Sequence, residues 1–145
     1  DGVKLDLSTV ESTRKALLDA KSITYSDLGG GGLSGINARK VVDNLGLTEA
    51  IKDKVQLAKD LAGGQALIAK GDIEIGLFNL SEIPRAAGVV RAGPVPAAVE
   101  VYINYDSAVP VTNKSPDVAL ALLKYFQRPA SRPVWNKAGL EVVGE

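Results

Sequence analysis

The sequence contains no histidine, no cysteine and no methionine. Without histidine and cysteine, a Ser-His-Asp triad, a Cys-His pair, a zinc finger and a disulfide framework are excluded within this chain. Carboxylates, lysine and tyrosine remain as acid-base groups. We therefore expect no metal site and no bound cofactor.

An excess of charge of either sign is also missing, as is a long apolar run. The 17 Lys and Arg residues balance the 17 Asp and Glu residues. Nucleic acid is not expected as a partner, because its binding depends on clustered basic side chains that release counterions. The chain as given shows neither a membrane-spanning run nor an export leader. Since it neither begins with Met nor contains one, we expect a mature or trimmed product whose signal peptide is not in this chain. The absence of cysteine suits a periplasmic or secreted location without establishing it.

Capping signals, apolar stripes and β-prone runs predict helices that alternate with strands. A capping box at Ser8 and Glu11 predicts the first helix, and Asp60 is predicted to cap a later one. In order, the predicted elements are a helix over 8–20, a strand over 22–26, a helix over 33–45, a short helix over 48–54, a strand over 55–57, a helix over 61–70 and a strand over 73–78. This alternation is typical of βαβ units, so the predicted class is α/β with a mainly parallel sheet.

A breaker cluster, Gly93-Pro94-Val95-Pro96, follows these elements and predicts a change in organisation. We divide the chain into an α/β ligand-binding lobe over 1–82 and a crossover strand with C-terminal helices over 83–145, which we expect to pack with the same unit. The second part is predicted to contain a strand in which Val99, Val101 and Ile103 alternate with polar residues, a very apolar helix from Ser115, a last helix over 131–137 and a terminal strand over 140–143.

Four consecutive glycines, Gly29 to Gly32, lie between a predicted strand and a predicted helix. The start of a helix offers unpaired N–H groups and a partial positive charge, so an anion is favoured there. In the alternative interpretation the glycines form only a flexible turn, and Ser34 only caps its own helix. Sequence spacing leaves both interpretations open.

Gly30, Gly32 and Gly35 also match the G-x-G-x-x-G fingerprint of dinucleotide sites. Four glycines in a row satisfy this pattern easily, and no acidic residue ends a second strand at the expected distance. An NAD-dependent enzyme is therefore our third hypothesis. The phosphate-loop pattern fails, because Gly35 is followed by Ile36 and no lysine comes next.

Three strings together resemble the molybdate-type extracellular solute-binding proteins of ABC importers. They are SITYSDLGGGGLSGI, ALIAKGDIEIGLFNLSEI and SPDVALALLKYFQRPASRPVWNKAGLE, and the resemblance covers nearly the whole chain in order. It implies a type II periplasmic-binding fold, of which this chain forms one lobe plus a C-terminal return segment. Members of that family close on a small ligand, commonly a tetrahedral oxyanion, between two lobes.

Carried over by position, the resemblance implies five ligand-binding residues: Leu33, Ser34, Gly35, Leu61 and Asn79. The first four would contribute backbone amides at helix starts, and Asn79 would contribute a polar side chain. The family usually has proline where this chain has Leu28, and molybdate binders tend to carry tyrosine where it has Asn79. The resemblance thus implies an oxyanion without specifying which.

The resemblance also implies that the family's N-terminal half-lobe, which supplies ligands from the other jaw, is absent from this chain. We therefore expect weak binding by one copy, and either a homodimer or a missing lobe to cover the apolar helix at 118–126.

Our leading hypothesis is a non-enzymatic substrate-binding component, or a fragment of one, that holds a small anion through helix N-terminal amides and works with an ABC permease. The alternative is a regulatory or protein-interaction domain of the same fold without a transport ligand.

Overall fold

The computed structural model describes residues 4–27, 29, 32–83 and 87–142. The chain divides into two compact units, Asp1–Tyr102 and Ile103–Glu145. The predicted division after residue 82, and the packing of residues 83–145 with the lobe, stay predictions.

The first unit alternates helices with strands. Its elements are α1 (Val10–Asp19), β1 (Ile23–Ser26), α2 (Leu33–Asn44), α3 (Thr48–Ile51), β2 (Val55–Ala58), α4 (Leu61–Lys70) and β3 (Ile75–Gly76). The second unit contains α5 (Pro116–Gln127) and α6 (Arg132–Lys137). Across the described ranges, none of the helices combines the length and apolarity that crossing a membrane requires.

The strands of the described residues form a parallel sheet in the order β2-β1-β3. Ser26 pairs with Ala58 across β1 and β2, and Thr24 pairs with Gly76 across β1 and β3. The predicted α/β class with a parallel sheet is confirmed, and the arrangement is consistent with one lobe of a solute-binding protein fold.

Helices cover both faces of this sheet. Tyr25 of β1 and Val42 of α2 line one shared cavity, so α2 lies on the face that carries Tyr25. On the other face, a Cβ built on Gly64 of α4 would lie 3.2 Å from the Cβ of Ala58. Ser26 is the register partner of Ala58 and therefore points toward α4 as well.

The core of the first unit forms where α2 packs on the sheet. Ile23 is fully buried, and Val42 and Leu45 are each 1% exposed, as the stripe of α2 predicts. Beyond β3, the ring of Phe78 fills space beside Gly64 and Gly76, within 3.1 Å and 2.3 Å of a Cβ built at those positions. Phe78 thereby fixes the start of the turn that follows the strand.

Two local predictions are wrong in detail. The cap of α1 is Thr9, whose side chain accepts the Ser12 N–H at 3.0 Å, and not Ser8. Ser8 instead donates to the carboxylate of Asp6, which already forms a turn before the helix. The third strand is shorter than predicted, because the N–H of Ile73 donates to the carbonyl of Leu67 at the end of α4.

The predicted strands over 99–103 and 140–143 are also wrong where the structure describes them. The N–H groups of Val99 and Glu100 both donate to the carbonyl of Pro96, which makes a turn. Val99 is nevertheless buried in the core, so the alternation reports packing of an irregular segment. Leu140 donates its N–H to Trp135 and ends α6, while Val143 lies outside the described residues.

The second unit is held together by aromatic contacts between its helices. The rings of Phe126 and Trp135 meet edge-on at 5.8 Å between centroids, and the indole N–H donates to the carbonyl of Phe126 at 2.9 Å. The guanidinium of Arg128 lies 3.6 Å from the centre of the Tyr125 ring. Trp135 therefore serves as a packing anchor between α5 and α6.

A matched pair of leucines measures how far the first unit depends on the core around α2. Leu45 is 1% exposed and Leu57 is 46% exposed. We expect Leu45→Ala to lower the free energy of unfolding by about 2–5 kcal/mol, because it leaves a cavity. Leu57→Ala should cost about 0.5 kcal/mol or less. Urea unfolding of both variants checks this, and equal losses would contradict the assigned core.

Candidate functional site

The carboxyl ends of the parallel strands define one edge of the sheet. Both α2 and α4 follow a strand, and both begin at this edge. In the order β2-β1-β3, the strands that follow β1 in the chain lie on opposite sides of it. The carboxyl ends of β1 and β3 therefore flank a topological switch point, where the connections turn in opposite directions. Ligands of open α/β sheets bind at such a crevice.

The start of α2 contains three of the predicted site residues. The N-cap of α2 is Gly32, which has no side chain with which to cap the helix. Leu33 is 54% exposed, whereas Ser34 is 7% exposed. The Ser34 hydroxyl does not cap its own helix but donates to the carboxylate of Glu82 at 2.7 Å. This bond joins α2 to a segment 48 residues further along the chain.

Gly35 brings the first turn of α2 onto the end of β1. A Cβ at this position would lie 2.2 Å from the carbonyl oxygen of Ser26 and 2.9 Å from its carbonyl carbon. Neither atom can yield, because both belong to the central strand. Glycine is thus a geometric requirement for the position of this helix start.

Leu61, the fourth predicted residue, is the half-buried first residue of α4. The helix is capped as predicted, since the carboxylate of Asp60 accepts the N–H of Gly63 at 2.8 Å. A negative charge therefore already lies at this helix start and offsets part of its positive end.

Asn79, the fifth predicted residue, lies in the turn that follows β3 and contacts Glu82 twice. Its backbone N–H donates to Oε2 of Glu82 at 3.1 Å, and its Nδ2 donates to Oε1 at 3.2 Å. Its Oδ1 accepts from Nδ2 of Asn37 on α2 at 3.3 Å. Through Glu82, the structure brings Ser34 and Asn79 together.

Glu82 and Asn37 were not predicted as site residues. The spacing of Asn79 and Glu82 is that of a capping box, in which an acid three residues on reaches back to the N-cap. That signal was available in the string NLSE. The bond from Ser34 had no such signal, because it depends on how α2 and β3 meet.

A third element is tied to the same turn. Nε2 of Gln65 on α4 donates to the backbone carbonyl of Glu82 at 3.2 Å. Helices from both faces of the sheet thus converge on Glu82.

Ser26, at the carboxyl end of β1, has a buried hydroxyl with unused hydrogen-bonding capacity. It is 6% exposed, and its Oγ is the buried side-chain polar atom of the described residues that lacks a partner. Buried polar groups are normally paired, so an unpaired one beneath α4 is unusual.

A separate cavity of about 200 Å³ lies on the α2 face, and its lining contains none of the five predicted residues. Its rim charges are paired: Nε of Arg39 lies 3.0 Å from the carboxylate of Asp43. Hydrogen bonds from Thr48 and then Arg39 lower the pKa of Asp43, and the bond to Asp43 raises the pKa of Arg39.

Gly30 of the dinucleotide fingerprint and Leu28 lie outside the described residues. Within the described ranges, no group of three or more His, Cys, Asp or Glu side chains is arranged to hold a metal ion.

Comparison with known proteins adds a family and two relatives. A family model for bacterial extracellular solute-binding proteins matches residues 1–141. Aconitate isomerase of Pseudomonas sp is 25% identical over 141 residues, which cover 97% of this chain and 52% of that protein. The molybdate-binding protein ModA of Azotobacter vinelandii is 30% identical over 108 residues, which cover 72% of this chain and 42% of that protein. The chain spans about half the length of the curated relatives it matches.

A glycine-to-alanine pair tests the close approach at the helix start. Gly35→Ala forces α2 away from β1, and we expect it to lower the free energy of unfolding by about 1–3 kcal/mol. Gly29→Ala, in the loop before α2, places its Cβ 3.6 Å from the Asp27 side chain, which is ordinary van der Waals contact among the described residues, and should change stability little. Thermal unfolding of the two variants provides the measurement. Equal melting temperatures would show that the contact does not position the helix.

Proposed function

Because the chain belongs to the bacterial extracellular solute-binding protein family, we propose that it is the substrate-binding component of an ABC importer, or part of one, and that it holds a small oxyanion. The observation that carries the proposal is the convergence of donors from Ser34 and Asn79 at the carboxyl edge of the sheet. These groups come from α2 and from the turn after β3, and both donate to the carboxylate of Glu82.

The species now bound by these donors is a carboxylate. Its two oxygens accept three hydrogen bonds, one from the Ser34 hydroxyl and two from Asn79. A carboxylate presents charged oxygens much as an oxyanion does, so the same donors suit a small anion. The first-turn amides of α2, at Leu33 and Gly35, and that of Leu61 on α4 would complete the set.

The relative that is named as molybdate-binding supports this ligand class. We propose molybdate or another small oxyanion as the ligand, an ABC permease as the partner, and a location outside the cytoplasm. Under this proposal the chain binds its ligand without transforming it.

A second candidate function comes from the other relative, which is named for isomerising aconitate and matches 97% of this chain. Glu82 supplies an acid-base group at the site, and aconitate is itself an anion that these donors would suit. The two candidates differ in ligand and in chemistry: the first binds a small oxyanion unchanged, whereas the second binds aconitate and interconverts its isomers.

Calorimetric titration tests the proposed function. We expect at least one of molybdate, tungstate, sulfate and phosphate to give binding heat. Ser34→Ala should weaken that binding about tenfold or more, since a hydrogen bond to a charged group contributes about 1.5–3 kcal/mol. Ser115→Ala is the matched control, because Ser115 is exposed and makes no capping bond in the described structure.

The outcomes of this series separate the alternatives. The absence of binding heat with all four anions would contradict the oxyanion proposal and favour a regulatory or protein-interaction domain. Binding of aconitate, with interconversion of its isomers followed by NMR, would establish the second candidate instead.

A second part of the proposal concerns the apolar face of α5. Val118, Leu122 and Tyr125 on this helix are between 51% and 70% exposed. We propose that a second copy of the chain, or a further lobe, covers this face and supplies the other jaw of the ligand site.

Light scattering of the purified chain tests the second copy. We expect a dimer, because an isolated apolar face of this kind favours association. A monodisperse species of 15.1 kDa would contradict the dimer. Val118→Glu should shift a dimer toward monomer, whereas Val111→Glu, at a fully exposed position outside the helix, should not.

A further inference from the structure

The carboxylate of Glu82 accepts hydrogen bonds from the same donors that we propose to bind the ligand. Its Oε2 accepts from the Ser34 hydroxyl and the Asn79 N–H, and its Oε1 accepts from the Asn79 side-chain amide. Both side chains that we propose to hold the ligand are therefore already bound to a negatively charged group of the same chain.

Local turn structure explains only part of this arrangement. The capping-box spacing accounts for the bonds between Asn79 and Glu82, and the Glu82 N–H donates back to the Asn79 carbonyl at 3.0 Å. It does not account for Ser34, which lies on α2 and is 7% exposed. The buried Ser34 hydroxyl therefore donates to the Glu82 carboxylate even though the fold of the turn does not require this bond.

The charge of Glu82 is not balanced by a cation in the part of the chain that the structure describes. The ion pairs given there join Lys15 to Asp19, Arg39 to Asp43 and Lys52 to Glu49. Around Glu82 the described partners are neutral hydroxyl and amide groups. An incoming anion would meet a negative charge without a paired cation at its own binding groups.

We propose that Glu82 is a specificity-determining residue of this site: its carboxylate competes with anionic ligands for Ser34 and Asn79, so that an anion binds only by displacing it. This inference rests on the proposed function. It explains in physical terms why one lobe that has suitable donors would nevertheless hold a fully ionised oxyanion weakly.

Charge removal at Glu82 is the direct test. Glu82→Gln keeps the length of the side chain and one acceptor oxygen, while it removes the charge and adds an N–H donor. We expect this variant to bind molybdate and sulfate about tenfold or more tightly than the unchanged chain, in calorimetry at fixed pH and ionic strength. Circular dichroism and thermal melting establish that the variant is folded.

Glu74→Gln is the matched control. It changes the net charge by the same amount, but Glu74 is exposed and precedes β3 at the opposite edge of the sheet, where it accepts the Lys21 N–H at 2.8 Å. We expect its anion affinity to equal that of the unchanged chain. An equal gain in both variants would show a general effect of net charge and would overturn the inference.

The remaining outcomes separate this inference from the proposed function. If the unchanged chain binds an oxyanion and Glu82→Gln binds it equally or more weakly, the inference fails and the proposed function stands. If neither binds any of the anions, both fail. Glu82→Ala, which frees all three donors, provides a second variant should the glutamine variant not fold, with the same expected gain.

Discussion

The contact between the first turn of α2 and the carbonyl of Ser26 is the constraint on which the candidate site depends. It exists because residue 35 has no side chain. At van der Waals distance from the strand, α2 can place Ser34 against the turn after β3 and Asn37 against Asn79. A helix held further away by one carbon atom would lose these bonds, so a steric condition in the backbone determines which polar side chains meet.

The class of fold was predictable because it depends on local signals, and two of the predicted site residues, Ser34 and Asn79, share Glu82 as an acceptor. The apolar stripe of α2, the Asp60 cap of α4 and the glycines after β1 each act over a few residues, and the structure confirms the first two. The parallel topology then brings distant residues such as Ser34 and Asn79 to the carboxyl edge of the sheet, where ligands of such sheets bind.

The parts that were not predictable depend on competition between partners. Val99 has the two-residue pattern of a strand, but its N–H is used by a turn after two prolines, and burial alone reproduces the pattern. The shift of the α1 cap from Ser8 to Thr9 arises in the same way, because Asp6 takes the Ser8 hydroxyl first. Glu82 was not predicted as a site residue, because its contact with Ser34 depends on where α2 lies relative to the turn after β3.

Phe78 connects the turn that carries Asn79 with α4, the helix that packs on the sheet face opposite α2. Its ring fills the space left by the missing side chains at Gly64 and Gly76, so these three positions form one interlocked set. During divergence of related sequences, a side chain at Gly76 would need room at both Phe78 and Ile68, because each has an atom 2.3 Å from a Cβ built there. A side chain at Gly64 would need the Phe78 ring to shift. The identity of the aromatic residue is thereby linked to the two glycines, and any change in the turn that carries Asn79 is constrained by packing on the opposite side of the strand.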